Sequence, residues 1–316
     1  MLSKTLTNSL QQLNKTYNKL SIWGKLLLFV ILFLIILTYF KSNKKLHMEG
    51  FEQSDKFLIK SDNEIYDEFY SNIYDDLVYS NIKTTYEIGE ILNNTEPSEQ
   101  SIILDVGCGT GHHVAELASK DLNVIGIDKS VAMIQKAKEY YPNYDFKVGD
   151  VLNAGEFSPN SFTHILCLYF TIYYMKDKMT FFNNCMSWLK PGGYLVIHLV
   201  DREMFDPILP PGNPLLMVSP QKYAKNRITS TNVTFDDFKY NSNFDLDDKN
   251  DIATFSEKFK FNKSNKVRKN EHKMYMPSED SIIQMAQEVG FNVQGKIDLI
   301  KATYEYQYLY ILVKPN

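Results

Sequence analysis

Two periods of apolar residues run along this chain, and they change at fixed places. Between residues 102 and 200 short apolar runs at 102–106, 123–127, 144–148, 162–168 and 193–200 read as buried strands. The segments between them, 112–120, 130–140 and 177–189, repeat their apolar residues at helical spacing. Strands alternating with helices predict an α/β architecture, a mostly parallel sheet covered by helices on both faces. Ahead of this region Tyr66, Phe69, Tyr70, Ile73, Tyr74 and Leu77 fall on one helical face, and a second helix is expected at about 83–93. Behind it Leu209-Pro210-Pro211-Gly212-Asn213-Pro214 breaks any regular element. Three stretches at about 229–240, 252–261 and 266–276 then alternate with period two, most clearly in Phe255-Ser256-Glu257-Lys258-Phe259-Lys260-Phe261. They predict an antiparallel β insertion, at about 203–276, after the fifth strand. A helix capped by Ser278 and closed by Gly290 follows, then strands at 292–300 and 305–314, which bring the sheet to seven.

The N-terminal pattern is of another kind. Residues 26–40 carry no charge and are almost wholly apolar; extended back to Ile22 they give roughly 28 Å of helix, against a bilayer core of about 30 Å. Lys25, Trp23, Tyr39 and Phe40 stand where snorkelling and interfacial residues belong. A single transmembrane helix over 22–40 is therefore expected, ahead of two rival readings, a cleaved signal peptide and a buried helix. Residues 1–21 carry Leu6, Leu10, Leu13, Tyr17 and Leu20 on one helical face and read either as an interfacial helix or as a tail. Residues 41–60 read as a polar linker, and 61–316 as the main domain.

Charge removes some classes of function. The formal net charge is −4 and no basic stripe occurs, which speaks against a nucleic-acid partner. Cys108, Cys167 and Cys185 make an odd count and read as reduced, buried thiols. Asp245, Asp247, Asp248 and Asp251 lack the glycine and final glutamate of a calcium loop, so no metal site is expected.

The chemistry concentrates in Ile102-Ile103-Leu104-Asp105-Val106-Gly107-Cys108-Gly109-Thr110-Gly111, a strand that enters a glycine turn before a helix. Glycines at alternate positions let the backbone approach a ligand with no Cβ in the way. Asp128 ends the next strand, where a carboxylate binds the two hydroxyls of a ribose. Together they imply an adenosine-type cofactor. A dinucleotide turn would place its third glycine at 112, which is His112 here; the glycine stands at 111.

That G-x-G-x-G turn resembles the S-adenosylmethionine (SAM) site of class I methyltransferases. The resemblance continues in order through Asp128-Lys129-Ser130 with Met133, Gly149-Asp150-Val151 and Leu189-Lys190-Pro191-Gly192-Gly193-Tyr194-Leu195-Val196-Ile197, and covers about residues 64–200. It implies a Rossmann-like fold with SAM held by Asp105, Gly107, Gly109, Gly111, Asp128, Lys129, Met133, Asp150, Val151 and Cys167. The loop after the fourth strand faces the sulfonium in the resembling enzymes, which makes Tyr169 and Thr171, with His198 on the fifth strand, the catalytic candidates. Small-molecule N-methyltransferases, including those that dimethylate amino sugars, often begin with a Tyr-Asp-rich helix, so Tyr66 and Tyr74 are expected at the substrate. Glu271, His272 and Tyr275 in the insertion are expected to line the substrate mouth, with only one of the adjacent pair Glu271 and His272 pointing inward. The implied activity is direct methyl transfer to a small-molecule or membrane-proximal acceptor. Lysines flank the apolar span almost equally; because SAM is held in the cytosol, the catalytic domain is expected on that side of the membrane. A non-catalytic SAM-binding scaffold and a nicotinamide oxidoreductase are the alternative functions.

Overall fold

In the computed structural model the described residues are 21–42, 56–212 and 219–316. The chain falls into two units, residues 1–49 and 50–316. In the first, helix α1 spans Ile22–Ser42. Among the described residues no helix is long and apolar enough to cross a membrane. This corrects the expected transmembrane helix over 22–40, the membrane partner, and the membrane localisation with a cytosolic catalytic domain. The Leu6–Leu20 face, most of the 41–60 linker and the Asn213-Pro214 break lie outside the described residues.

In the second unit the elements run β1 (Phe57–Ser61), α2 (Glu68–Val78), α3 (Asn81–Thr95), β2 (Ile102–Val106), α4 (His112–Ala118), β3 (Asn123–Asp128), α5 (Val131–Tyr140), β4 (Asp145–Val148), β5 (Phe162–Cys167), α6 (Lys178–Trp188) and β6 (Leu189–Val200). They continue as β7 (Ser230–Thr234), β8 (Phe238–Asp247), β9 (Ile252–Phe261), β10 (Val267–Tyr275), α7 (Glu279–Val289), β11 (Asn292–Asp298) and β12 (Gln307–Val313). The alternating region folds as its pattern predicts, into a seven-stranded sheet of order β11-β12-β6-β5-β2-β3-β4. Strands β2 to β6 are parallel, while β12 lies antiparallel to β6 and to β11. Buried Phe181, Phe182 and Trp188 pack one face, and Val114, Leu117 and Ile134 pack the other.

The insertion departs from its expected form in two ways. The stretch read as one strand at 229–240 is a hairpin: Phe235 N–H donates to the Phe238 carbonyl, and Asp236-Asp237 form the turn. Strand β8 then runs to Asp247, with Phe238, Tyr240, Ser242 and Phe244 inward and the intervening polar residues outward. Second, residues 57–61 are no linker. They form β1, which pairs in parallel with β10 and completes a second sheet of order β1-β10-β9-β8-β7.

Arg268 on β10 fastens this sheet to the core. Its side chain is fully buried. It donates to both carboxylate oxygens of Asp67 at 2.9 and 2.8 Å, to the Ile65 carbonyl at 2.8 Å and to Asn270 Oδ1 at 2.8 Å. Asp67 also caps α2, accepting from Tyr70 N at 3.1 Å. Replacing Asp67 by Ala removes the cap and leaves a buried guanidinium without its counter-charge. Chemical denaturation should show a loss of about 3–5 kcal/mol; a loss below about 1 kcal/mol would show that water reaches Arg268 freely.

Candidate active site

The cofactor candidates gather at the carboxyl ends of β2 and β3. Gly107 (φ +67°) and Gly109 (φ +54°) adopt left-handed backbone, and both line a cleft. A Cβ on Gly107 would collide with the Thr171 side chain, so this glycine lets the loop after β5 close onto the turn. Asp128 lines the same cleft. Its carboxylate accepts from Gly109 N at 3.0 Å and Ser130 N at 2.8 Å. Burial raises its pKa, opposed by the backbone donors of Ser130, Gly109 and Lys129. Lys129, Met133, Asp150 and Val151 complete that side. Lys129 Nζ lies 2.9 Å from Asp150. Burial works to raise the Asp150 pKa, but hydrogen bonds from Lys129 and Leu152 N outweigh it and hold the carboxyl low.

Three expected cofactor residues stand elsewhere, behind the cleft wall. Gly111 (φ +89°) packs against Phe146, where a Cβ would lie 2.7 Å from the ring. Cys167 has no exposed surface, and burial pushes its thiol pKa up. Asp105 is 1% exposed, and its Oδ2 has no hydrogen-bond partner. None of the three is among the residues that line the cleft.

A second cavity adjoins the first, and Tyr66, Tyr74 and Tyr174 line both. Its volume is about 90 Å³, against about 220 Å³ for the cleft at the glycine turn. Tyr70, Tyr169, Phe170, Phe205, Phe244 and Phe255 make its wall largely aromatic. Ser130 Oγ, at the end of β3, donates to the Tyr66 carbonyl at 2.6 Å and so ties the tyrosine segment to the cofactor strand.

The remaining candidates separate by position. Tyr169 (φ +53°) lines the aromatic cavity, and Thr171 lines the cofactor cleft. His198 reaches neither, because it is fully buried between the Tyr169 carbonyl and Gln307. Burial, with the nearby Lys83 charge, lowers its pKa to about 4, so it is neutral at pH 7. His198 thus positions two wall residues, Tyr169 and Gln307, and lies away from the reacting atoms. Of the adjacent pair on β10, His272 is buried and lines the aromatic cavity, while Glu271 is exposed on the opposite face of the strand. Tyr275 lines the cofactor cleft and not the second cavity.

Sequence reasoning missed the group behind His272. Tyr174 Oη lies 2.9 Å from His272 Nδ1, and His272 Nε2 lies 2.8 Å from Glu257 Oε2. Glu257, 1% exposed, also accepts from Asn270 at 2.9 Å and Tyr240 at 2.7 Å. Burial pushes its pKa up, but the hydrogen bonds from His272, Asn270 and Tyr240 outweigh it and keep the carboxylate ionised at pH 7. An ionised carboxylate only accepts, so His272 Nε2 carries hydrogen towards it. The available signal was phase: Glu257 stands in register with Phe255 and Phe259, on the inward side of the alternation. Among the described residues no cluster of metal ligands occurs.

Comparison with known proteins agrees with this arrangement. Residues 103–193 match the methyltransferase domain family. Over 121 residues the chain is 36% identical to phosphoethanolamine N-methyltransferase 1 of Arabidopsis thaliana, covering 37% of this chain and 24% of the relative. Over 114 residues it is 33% identical to the dTDP-4-amino-2,3,4,6-tetradeoxy-D-glucose N,N-dimethyltransferase of Saccharopolyspora spinosa, covering 35% of this chain and 45% of that protein. The chain thus spans less than half the length of these curated relatives. Among solved structures, the sugar N-methyltransferase KedS8 from Streptoalloteichus superposes with a TM-score of 0.59 at 18% identity, over 85% of this chain and 100% of that one. Residues 103–193 thus match the methyltransferase domain model, and the chain around them carries the Rossmann-like methyltransferase fold with a mixed seven-stranded sheet.

Proposed function

We propose that this protein is a SAM-dependent methyltransferase of a small molecule, with the cofactor in the glycine-turn cleft and the acceptor in the aromatic cavity beside it. One observation carries the reading: the two cavities share the wall formed by Tyr66, Tyr74 and Tyr174. A protein that only bound a nucleoside would need the first cavity and not the second.

The residues present suit the cofactor. The backbones of Gly107 and Gly109 lie open to the cleft, and Asp128 faces it with a carboxylate suited to ribose hydroxyls. Asp150, Val151 and Leu152 lie where the adenine would rest. Bound SAM supplies a methyl group already activated on a positively charged sulfur. The chain's own task is then alignment and the exclusion of water. Tyr66, Tyr74 and Tyr174 hold the boundary between the cavities, Thr171 lies on the cofactor side, and Tyr169 and His272 shape the acceptor side. The position of Gly111, packed on Phe146 with His112 after it, speaks against a nicotinamide dinucleotide.

Calorimetry should find binding of SAM and of S-adenosylhomocysteine and none of NADH; the reverse result would overturn the reading. Asp128→Ala should weaken SAM by about 1.5–3 kcal/mol for each charged hydrogen bond lost, at least tenfold.

Asp105 makes the unliganded fold sensitive to pH. Burial, the largest cause, raises its pKa to about 6. A carboxyl whose folded pKa exceeds its unfolded value destabilises the fold once ionised. The penalty is absent below the unfolded pKa of about 3.9 and complete above the folded one. Asp105→Asn should therefore gain about 2–3 kcal/mol over the parent at pH 7, and the gain should vanish between pH 6 and 4. A difference that stays flat across that window would show that Asp105 titrates normally.

A further inference from the structure

The charges around the aromatic cavity narrow what it can hold. Among its described lining residues there is no lysine or arginine. Lys273 lines the adjoining cleft, against the Tyr275 ring, and three further basic groups are engaged behind the wall. Lys83 pairs with Glu87 at 2.5 Å and lies 5.2 Å from the centre of the Tyr169 ring. Arg227 donates to the carbonyls of Phe205 and Arg202 and stacks on the Phe205 ring at 4.7 Å. Arg268 is matched by Asp67.

Negative charge, by contrast, reaches the cavity. Asp206 lines it; its hydrogen bonds come from neutral donors, Ile208 N and Gln221 Nε2, each at 3.0 Å, and the Ser219 hydroxyl, while the Arg227 charge acts on it from behind the Phe205 ring. Glu257 lies one residue deeper, and its hydrogen bond to His272 places the imidazole between that carboxylate and the Tyr174 hydroxyl. A phosphate or carboxylate entering here would lose its hydration and meet no lysine or arginine among the described lining side chains. A cation would meet tyrosine and phenylalanine faces backed by two carboxylates. The small volume, less than half that of the cofactor cleft, suits a compact skeleton and not a second nucleotide.

We propose that the acceptor is a small amine on an apolar skeleton free of phosphate and carboxylate: it is held as its ammonium ion, gives one proton to solvent, and its freed lone pair forms the N–CH3 bond as the S–CH3 bond of SAM breaks, leaving a methylammonium and S-adenosylhomocysteine. This rests on the methyltransferase reading and parts from the phosphorylated acceptor named for the Arabidopsis relative. The amine is recognised by the tyrosine faces and by Asp206, and its apolar body lies against Phe205, Phe244 and Phe255.

Two ligands of one skeleton and opposite charge, with a phosphorylated amine as the third, test the charge preference. The full chain, saturated with S-adenosylhomocysteine, is titrated calorimetrically with 2-phenylethylamine, 3-phenylpropionate and phosphoethanolamine. The amine should bind at least tenfold more tightly than either anion-bearing ligand. Asp206→Asn should shrink that preference at least threefold while leaving S-adenosylhomocysteine affinity within a few-fold. Equal or tighter binding of 3-phenylpropionate or phosphoethanolamine overturns the proposal, and so does the absence of amine binding to a protein that holds S-adenosylhomocysteine. Failure to bind S-adenosylhomocysteine is a separate result, which would bring down the methyltransferase reading itself.

Discussion

A guanidinium with no exposed surface can remain in a fold only if its charge and its donors are answered nearby. Arg268 is answered by Asp67, Ile65 and Asn270, and this one requirement joins three parts of the molecule. It fixes the register of β10, it anchors the start of α2, and it places Tyr66 between the two. Asn270 extends the network to Glu257, which in turn holds His272. The acceptor side of the site is thus positioned by a buried polar chain. The cofactor side is positioned by the ends of β2 and β3, where hydrogen bonds converge on Asp128.

The two halves also differ in how far they could be read from sequence. The glycine turn and Asp128 are local: a strand end, a left-handed backbone and a carboxylate within twenty-odd residues, so spacing alone places them. Asp105 on β2 and Cys167 at the end of β5 face inward, because a strand presents alternate residues to opposite sides and spacing does not say which side meets the ligand, while Gly111 caps α4 and packs on Phe146. The seven-stranded sheet followed from clear alternation of apolar runs. The insertion was legible as β structure but not in its pairing. Asp236-Asp237 hid a hairpin inside an unbroken pattern, and β1, only five residues long, carried no sign of a partner 210 residues away.

His198 and Glu257 show the same limit at the level of single side chains. A histidine near the carboxyl end of a core strand suggests chemistry. Its neighbours Tyr169 and Gln307 instead make it a brace, and those contacts span 29 and 109 residues of sequence. Glu257 reads as an ordinary charge on an alternating strand until the inward phase of Phe255 and Phe259 is noticed. Long-range contact decides both cases. The N-terminal apolar run failed in the opposite direction, since composition proposed a span that no described helix provides.

The pairing of β1 with β10 bears on how the molecule assembles. Phe57 and Val267 are register partners across 210 residues, with the five core strands β2 to β6 between them. Closing so long a loop costs entropy that only later contacts offset, and such non-local pairings slow folding. The core sheet, built from neighbouring strand–helix–strand units, closes much shorter loops. The tyrosine segment that follows β1 is therefore seated late, after the glycine turn has taken shape. The floor of the cleft on β2 and β3 thus closes over short loops, while the wall that Tyr66, Tyr74 and Tyr275 add to it waits on the long one.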